Sequence, residues 1–402
     1  MITSQEAYQI IQQYTFPKQN EKVALLSSKG RILAESITAD RDFPPFNRVA
    51  MDGIAFAFEG INPAAILVEQ IQFAGETQKQ LQDTHACIEI MTGAILPLGC
   101  DTVVRYEDIL VEEIEGKKVA KITIPFEEIT RGQNVHRQGS DKIAGQTLLE
   151  AGIRISPAEI AVMASVGKQE VQVVASPKVA VISTGDELVD ISVKPESHQI
   201  RMSNSYMLAA ALQTWNIEAQ LFHLTDDPEV LTEKLTQILE EHDVILLSGG
   251  VSAGKKDYVP EILAQLGVKK CFHKVAQKPG KPFWFGVKDI EHSEGTKLVF
   301  ALPGNPVSTF LCFCKYALPV IAQQKPRVEQ VSLAKEVFFK PALTYFAPAQ
   351  VYFENGKILA IPFEGSGSAD FANLTNCDGF VELSSEKSHF EIGEIVNFIR
   401  FR

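Results

Sequence analysis

No run of about 18 apolar residues occurs in the 402-residue chain, so no membrane-spanning helix is expected. A basic excess is missing too. The net charge is −12, whereas a nucleic-acid binder needs a positive field to meet a phosphate backbone. Cysteine is sparse: Cys87, Cys100, Cys271, Cys312, Cys314 and Cys377 include no CxxC pair and no His at zinc spacing. They read as reduced, buried thiols of a cytoplasmic protein. Cys312 and Cys314, two apart in an apolar helix, are expected on different faces. The eight histidines form no ligand set, so no zinc or iron site is expected. The opening MITSQEAYQIIQQY lacks the basic start, apolar centre and small-residue cleavage site of a signal peptide. No low-complexity segment is visible.

What is present is the balance of a soluble globular protein, 45% hydrophobic and 22% charged. The length fits two to four domains rather than one core. Residues 1–43 are read as helical. Residues 44–140 change to strands such as DTVVRYEDILVEEI and KKVAKITIP between Gly and Pro turns. A short helix is expected at SPAEIAVMASVG, capped by Ser156 with Pro157 at its first position, returning to pack on the first helices. The β-rich part is then an insertion. Across 176–326 apolar strand-like runs alternate with helical ones: KVAVIST, IEAQLFHL, DVILLS and TKLVFAL each precede a helix. That pattern implies a parallel-dominated sheet with helices on both faces. Texture turns β again over 327–402. The expected architecture is an α/β central domain (176–326), an N-terminal helical and linker domain (1–43 with 141–175), a β-rich inserted domain (44–140) and a C-terminal β domain (327–402).

Ligands of such sheets bind outside the carboxyl ends of the strands. The polar, glycine-rich loops fall there: Thr184-Gly185-Asp186-Glu187, then Asp226-Asp227, Ser248-Gly249-Gly250-Val251-Ser252-Ala253-Gly254, and Pro303-Gly304-Asn305-Pro306. Glycines let a backbone approach an anion, and a following helix N-terminus favours negative charge. Gly249, Gly254 and Lys255 come close to a P-loop, but Lys256 replaces the Ser or Thr that would hold Mg²⁺, which argues against an ATPase. Asp186 and Glu187 are placed to hold Mg²⁺ or move a proton. The competing structural roles are helix capping for Asp186, Asp227, Asp257 and Asn305, and a turn for Asp52. An acidic chain that takes an anion must gather its cations at the site. Lys274, Lys278 and Lys281 lie within eight residues, and prolines and a glycine stiffen Lys278-Pro279-Gly280-Lys281-Pro282. That loop suits a small tetrahedral oxyanion or a phosphate.

The ordered series PPFNRVAMDGIAF, MTGAILPLGCDTVV, the stretch ending NVHRQGSD, STGDEL, SNS, SGGVSAGKKDY, KPGKP and LPGNPVS resembles the molybdopterin molybdenumtransferase family, bacterial relatives of the gephyrin E domain. The resemblance runs from about residue 5 to 385. It implies a cytoplasmic homodimer of four-domain subunits that binds adenylylated molybdopterin, molybdate and Mg²⁺, releases AMP and leaves molybdenum on the dithiolene. It also implies exchange with the adenylyltransferase of the same pathway and with acceptor molybdoenzymes. By motif, Asp52, Thr92, Asp141, Glu187, Asp226, Lys274, Lys278, Pro303 and Pro306 match positions tied to activity. Asp52 belongs to the insertion, which in the family reaches the central domain of the partner subunit. Thr184, Gly185, Asp186, Ser248, Gly249, Gly250, Ser252, Gly254, Asp257, Gly304 and Asn305 fall where substrate binds. Lys278, Lys281 and Ser368 match the surroundings of the oxyanion, and Glu187, Asp226 and Asp257 are the expected metal ligands. The chain departs from the pattern in lacking the family's Arg near Ala347 and Pro348, in the GSGSAD turn, and in carrying His136 where an Arg is usual. Two rival readings are an adenylyltransferase, which resembles 176–323 alone, and a non-catalytic pterin-binding scaffold.

Overall fold

In the computed structural model, which describes residues 1–250, 258–290, 295–323, 329–363 and 371–402, the chain leaves one compact unit after Asn20 and re-enters it at Val174. Glu21–Val173 forms a second unit.

In the second unit a six-stranded sheet runs in the order Thr102–Arg105, Gly53–Phe56, Cys87–Ile90, Ile66–Gln72, Lys117–Ile122 and Ile109–Ile114. Its pairs are antiparallel except Ile66–Gln72 with Cys87–Ile90. Successive side chains of a strand face opposite ways. Ala55 and Ile88 therefore enter one buried cluster, and Ile54, Phe56 and Cys87 the other. A third cluster gathers Leu33, Ile37, Ile155, Met163, Val171 and Val173.

Two short helices carry reciprocal caps, and the second starts where expected. The helix α1, Ser4–Ile11, is capped by a reciprocal Thr3–Glu6 pair. The helix α2, Pro157–Ser165, has the same device in Ser156 and Glu159 with Pro157 leading. They belong to different units. Ala7 and Ile11 of α1 enter the first unit's core beside Val275 and Phe283. Met163 of α2 lies in the third cluster of the second unit, against Val23 and Leu25. The helical reading of 1–43 is thereby corrected: after α1 come a strand, Asn20–Ala24, and one 3-10 turn, Leu25–Ser28. Pro17 denies a helix its donor, and the short apolar run at 23–26 fits either period.

The first unit is organised by a central sheet. Its strands in chain order are β1 (Val179–Thr184), β2 (Ala219–Leu224), β3 (Val244–Ser248), β4 (Lys269–His273), β5 (Trp284–Asp289) and β6 (Thr296–Leu302). They lie side by side as β2-β1-β3-β6-β5-β4. The first four are parallel, while β5 is antiparallel to both β6 and β4. The connections 274–283 and 290–295 are too short for a parallel crossover, so this edge turns back on itself.

Both faces are covered. The helices α3 (Asn204–Gln213) and α6 (Pro306–Cys312) pack on Val179, Val181, Leu246 and Phe300. The helices α4 (Pro228–Glu241) and α5 (Val259–Gln265) pack on Ala180, Ile182, Ile245 and Leu247. Burial on both faces explains why β1 and β3 read as unbroken apolar runs; each fully buried Val, Leu or Phe contributes roughly 1.5–3 kcal/mol. Cys312 and Cys314 are both buried in one cluster, because the α6 segment is enclosed all round.

The C-terminal strands close on themselves. Thr344–Glu354 pairs with Lys357–Pro362, then Glu329–Leu333, Ile395–Arg400 and Gly379–Leu383 follow, and the last pairs back to Thr344–Glu354. Val331, Leu333, Ala347, Val381 and Phe398 fill the interior. Among the described residues no helix is long and apolar enough to cross a membrane.

Candidate active site

Register sets the site. Ser183 pairs with Ser248, and Ser248 with Leu302, so β1, β3 and β6 end level with one another. The chain turns sharply after β3. Gly249 and Gly250 have φ of 101° and 70°. A Cβ on Gly249 would stand 2.8 Å from the Thr184 carbonyl oxygen, and one on Gly250 2.8 Å from Val259 Cγ2. Both conformation and space demand glycine here.

The loop after β6 comes against this turn: a Cβ on Gly304 would stand 3.9 Å from Gly249 Cα. Asn204, which opens α3, ties the two together. Its Nδ2 donates to Ser248 Oγ and to the Gly304 carbonyl, each at 2.8 Å. Pro306 starts α6, and Asn305 stands at its cap position without a side-chain cap bond. The Thr309 hydroxyl reaches back to the carbonyls of Pro303 and, at 3.0 Å, Asn305. Thr184, Ser248, Gly249, Gly250, Pro303, Gly304, Asn305 and Pro306 thus converge at one sheet edge, as expected.

The acidic loops adjoin the same edge. His223 Nε2 lies 3.1 Å from the Gly185 carbonyl oxygen, and Asp186 Oδ1 accepts from the Asp226 N–H at 3.1 Å. Asp186 therefore braces the neighbouring loop instead of capping a helix. The Glu187 carboxylate folds over Gly185, where a Cβ would stand 2.4 Å from Oε2. Asp227 caps α4, accepting from the N–H groups of Glu229 and Val230 at 3.0 and 3.1 Å. Ser252, Gly254 and Asp257, together with Lys255 and Lys256, lie outside the described residues, as does Ser368.

The lysine loop is held from below by Gln277, which is fully buried. Its Nε2 donates to the carbonyls of Pro279 and Gly280 at 3.1 and 3.4 Å, and its Oε1 accepts from the Tyr316 hydroxyl. Gly280, at φ 87°, sits where a Cβ would press on Cys312 Sγ at 2.7 Å. Lys274, Lys278 and Lys281 are all exposed. Gln277–Lys278 also adds a parallel strand to Thr344–Tyr345 of the C-terminal sheet. Lys278 Nζ stands 5.5 Å from the Phe339 ring and 6.0 Å from Tyr345, two rings stacked at 4.4 Å. Ala347, near where the resemblance implied an Arg, lies in the core of that sheet.

The second unit gathers its own polar group. Asp52 Oδ1 accepts from both the N–H and the hydroxyl of Thr92 at 2.6 Å. The Thr92 hydroxyl first, then its backbone N–H, holds the Asp52 carboxyl below the usual range. His136 pairs with Arg48 across two short strands. Its Nε2 is 2.9 Å from Asp141 Oδ1 and its Nδ1 3.2 Å from an Arg48 nitrogen. An arginine only donates, so Nδ1 is the acceptor and Nε2 carries the proton toward Asp141. Asp52 with Thr92, and Asp141 with His136, are thus two local pairs.

Sequence reasoning passed over Asn204 and Gln277. SNS was visible as a motif, and a polar residue opening a helix after a strand-end loop was the available signal for Asn204. Nothing in the sequence marked Gln277, whose partners are brought to it only by the fold.

Three family models match the chain: "MoeA N-terminal region (domain I and II)" over 2–167, "Probable molybdopterin binding domain" over 180–323, and "MoeA C-terminal region (domain IV)" over 330–401. A molybdopterin molybdenumtransferase of Synechocystis is 38% identical, covering 99% of each chain. One from Bacillus subtilis is 32% identical over 96% of this chain and 91% of its own. A crystal structure of the molybdopterin biosynthesis MoeA protein of Pyrococcus horikoshii superposes with a TM-score of 0.80 at 29% identity, covering 100% of this chain and 99% of that one. The chain belongs to the molybdopterin molybdenumtransferase family.

Proposed function

We propose that the chain transfers molybdenum from molybdate to molybdopterin adenylylated on its phosphate, leaving the metal on the dithiolene and releasing AMP. The observation that carries this reading is the convergence of three strand-end loops, with paired glycines before a helix, in the same unit as an exposed lysine loop. The glycine turn lets phosphate approach the backbone. Lys274, Lys278 and Lys281 supply the positive charge that an acidic chain otherwise lacks for an oxyanion. Pro303 and Pro306 set the path of the loop that backs the glycine turn.

Among the described residues no three acidic, His or Cys side chains are gathered to hold a metal. Mg²⁺, however, commonly takes one or two carboxylates plus substrate phosphates. Glu187 and Asp226, on loops joined by the Asp186 bond, are an oxygen-only donor set that suits it, with Asp257 as a third candidate. When bound there, Mg²⁺ would offset negative charge at the cleaved phosphate. Asp52, Thr92 and Asp141 are assigned to the same reaction through their motifs. With this reading go a homodimer, a cytoplasmic setting, exchange with the pathway's adenylyltransferase and with acceptor molybdoenzymes, and four domains at 1–43 with 141–175, 44–140, 176–326 and 327–402.

Molybdate-dependent AMP release tests the proposal. Glu187→Ala and Asp52→Ala should each abolish it, and full activity in both would overturn the site. Incubation with molybdopterin and ATP separates the adenylyltransferase, which would transfer AMP without molybdate.

A further inference from the structure

Among the described residues, two buried polar atoms beside the glycine turn have no hydrogen-bond partner: Thr184 Oγ1 and Asn204 Oδ1. Folded proteins pair almost all such atoms. Thr184 is only 4% exposed. The Asn204 amide is oriented by what faces it. The Gly304 carbonyl, 2.8 Å away, can only accept, so the amide nitrogen must face it. The single Thr309 hydroxyl proton is committed to the Pro303 or Asn305 carbonyl, so that oxygen, 3.4 Å from Nδ2, can only receive. Turning the amide over would set oxygen against oxygen. Oδ1 is left as an acceptor without a donor.

Thr184 Oγ1 flanks the same turn. A Cβ on Gly249 or Gly250 would stand 3.0 or 2.9 Å from it. One unpaired atom therefore comes from the start of α3, on the side chain that bonds Ser248, and one from the end of β1, beside Gly249 and Gly250. An amide oxygen repels the oxygens of phosphate or molybdate, so this spot is not part of an anion cradle. It matches a ligand that presents N–H.

We propose that Asn204 is a specificity-determining residue whose Oδ1 accepts a hydrogen bond from a ring or exocyclic N–H of the substrate's nitrogen heterocycle, with the Thr184 hydroxyl as a second polar contact. The inference rests on the transferase reading of the site. Pterin and adenine both carry such groups, and the experiment separates them.

The full chain is titrated calorimetrically with AMP, with purine riboside 5′-monophosphate (which lacks the 6-amino group), with molybdopterin and with orthophosphate. Wild type, Asn204→Ala and Thr184→Val are compared. Asn204→Ala should weaken one heterocycle roughly tenfold, the size of one lost hydrogen bond, and leave orthophosphate unchanged. If adenine is read, purine riboside monophosphate binds wild type as weakly as AMP binds the variant. If pterin is read, AMP is unchanged and molybdopterin falls. Thr184→Val removes no internal bond, so it folds even where Asn204→Ala does not, and it should lose roughly threefold or more.

Changes below twofold for both heterocycles would overturn the inference. So would a parallel loss of orthophosphate, or recovery of the variant by added Mg²⁺. Wild type that binds neither heterocycle overturns the transferase reading as well, whereas normal wild-type binding with an indifferent variant overturns this inference alone.

Discussion

Replacing Thr184 by Val should stabilise the unit that contains it while weakening its ligand. Val has the shape of Thr with a methyl in place of the hydroxyl. Thr184 pairs with Leu224 through its backbone, and that ladder does not depend on the side chain. The lost oxygen is buried and makes no hydrogen bond. Burying such a group unpaired costs about 1–3 kcal/mol, and the methyl removes the cost. The expected gain is ~1 kcal/mol or more, which raises Tm by about 2–4 °C in a unit of this size.

The chain divides into two compact units, so a bulk signal would mix their transitions. Trp215 and Trp284, the chain's two tryptophans, both lie in the first unit, and Trp284 is buried. Urea unfolding followed by their fluorescence therefore reads that unit alone. A gain in midpoint at unchanged slope, together with weaker heterocycle binding, is the outcome the geometry demands. A loss of more than 1 kcal/mol would show that the hydroxyl has an internal partner, and the argument from unpaired atoms would fall.

Gly250→Ala should cost about 1–2 kcal/mol from its positive φ alone, with more from the contacts at Val259 and Thr184, and should abolish AMP release; wild-type activity and midpoint would refute the close approach. Thr92→Val should raise the Asp52 pKa, read by carboxyl ¹³C titration of the folded chain, because the hydroxyl bond is the first cause of its depression. A depressed carboxyl adds stability that is present above its unfolded pKa and is lost as pH falls through its folded one, so the variant should lose this acid-side dependence. Burial pushes the thiols of Cys87 and Cys100 up to about 12, and five of the six cysteines are buried. Native protein should accordingly give at most one thiol to a disulfide reagent at neutral pH, at half-buried Cys271, with the rest released by urea; rapid labelling of two or more in the native state would contradict the packing.

Legibility followed the range of the forces involved. β1 and β3 were readable because burial on both faces writes an unbroken apolar run, and Ser156 and Asp227 because a cap acts within three residues. The strand-end site was readable for the same reason: in a parallel sheet, direction alone collects Thr184, Ser248 and Pro303 at one edge. The N-terminal stretch misled because a run as short as 23–26 has no period of its own, so the choice fell to packing against Met163 and Leu33. The closure of the C-terminal sheet and the antiparallel turn at β5 depend on which strands meet, and no local pattern records that.

Side-chain partners were the least legible of all. Asn204 is held by groups 44 and 100 residues away, and its unpaired oxygen exists only because those groups claim the nitrogen. The sequence showed a glycine turn suited to anions. The fold adds, beside that turn, an acceptor that an anion cannot satisfy. A site with both is built for a molecule that carries phosphate and N–H together, and a phosphate-binding loop alone would have no use for an unpaired amide oxygen.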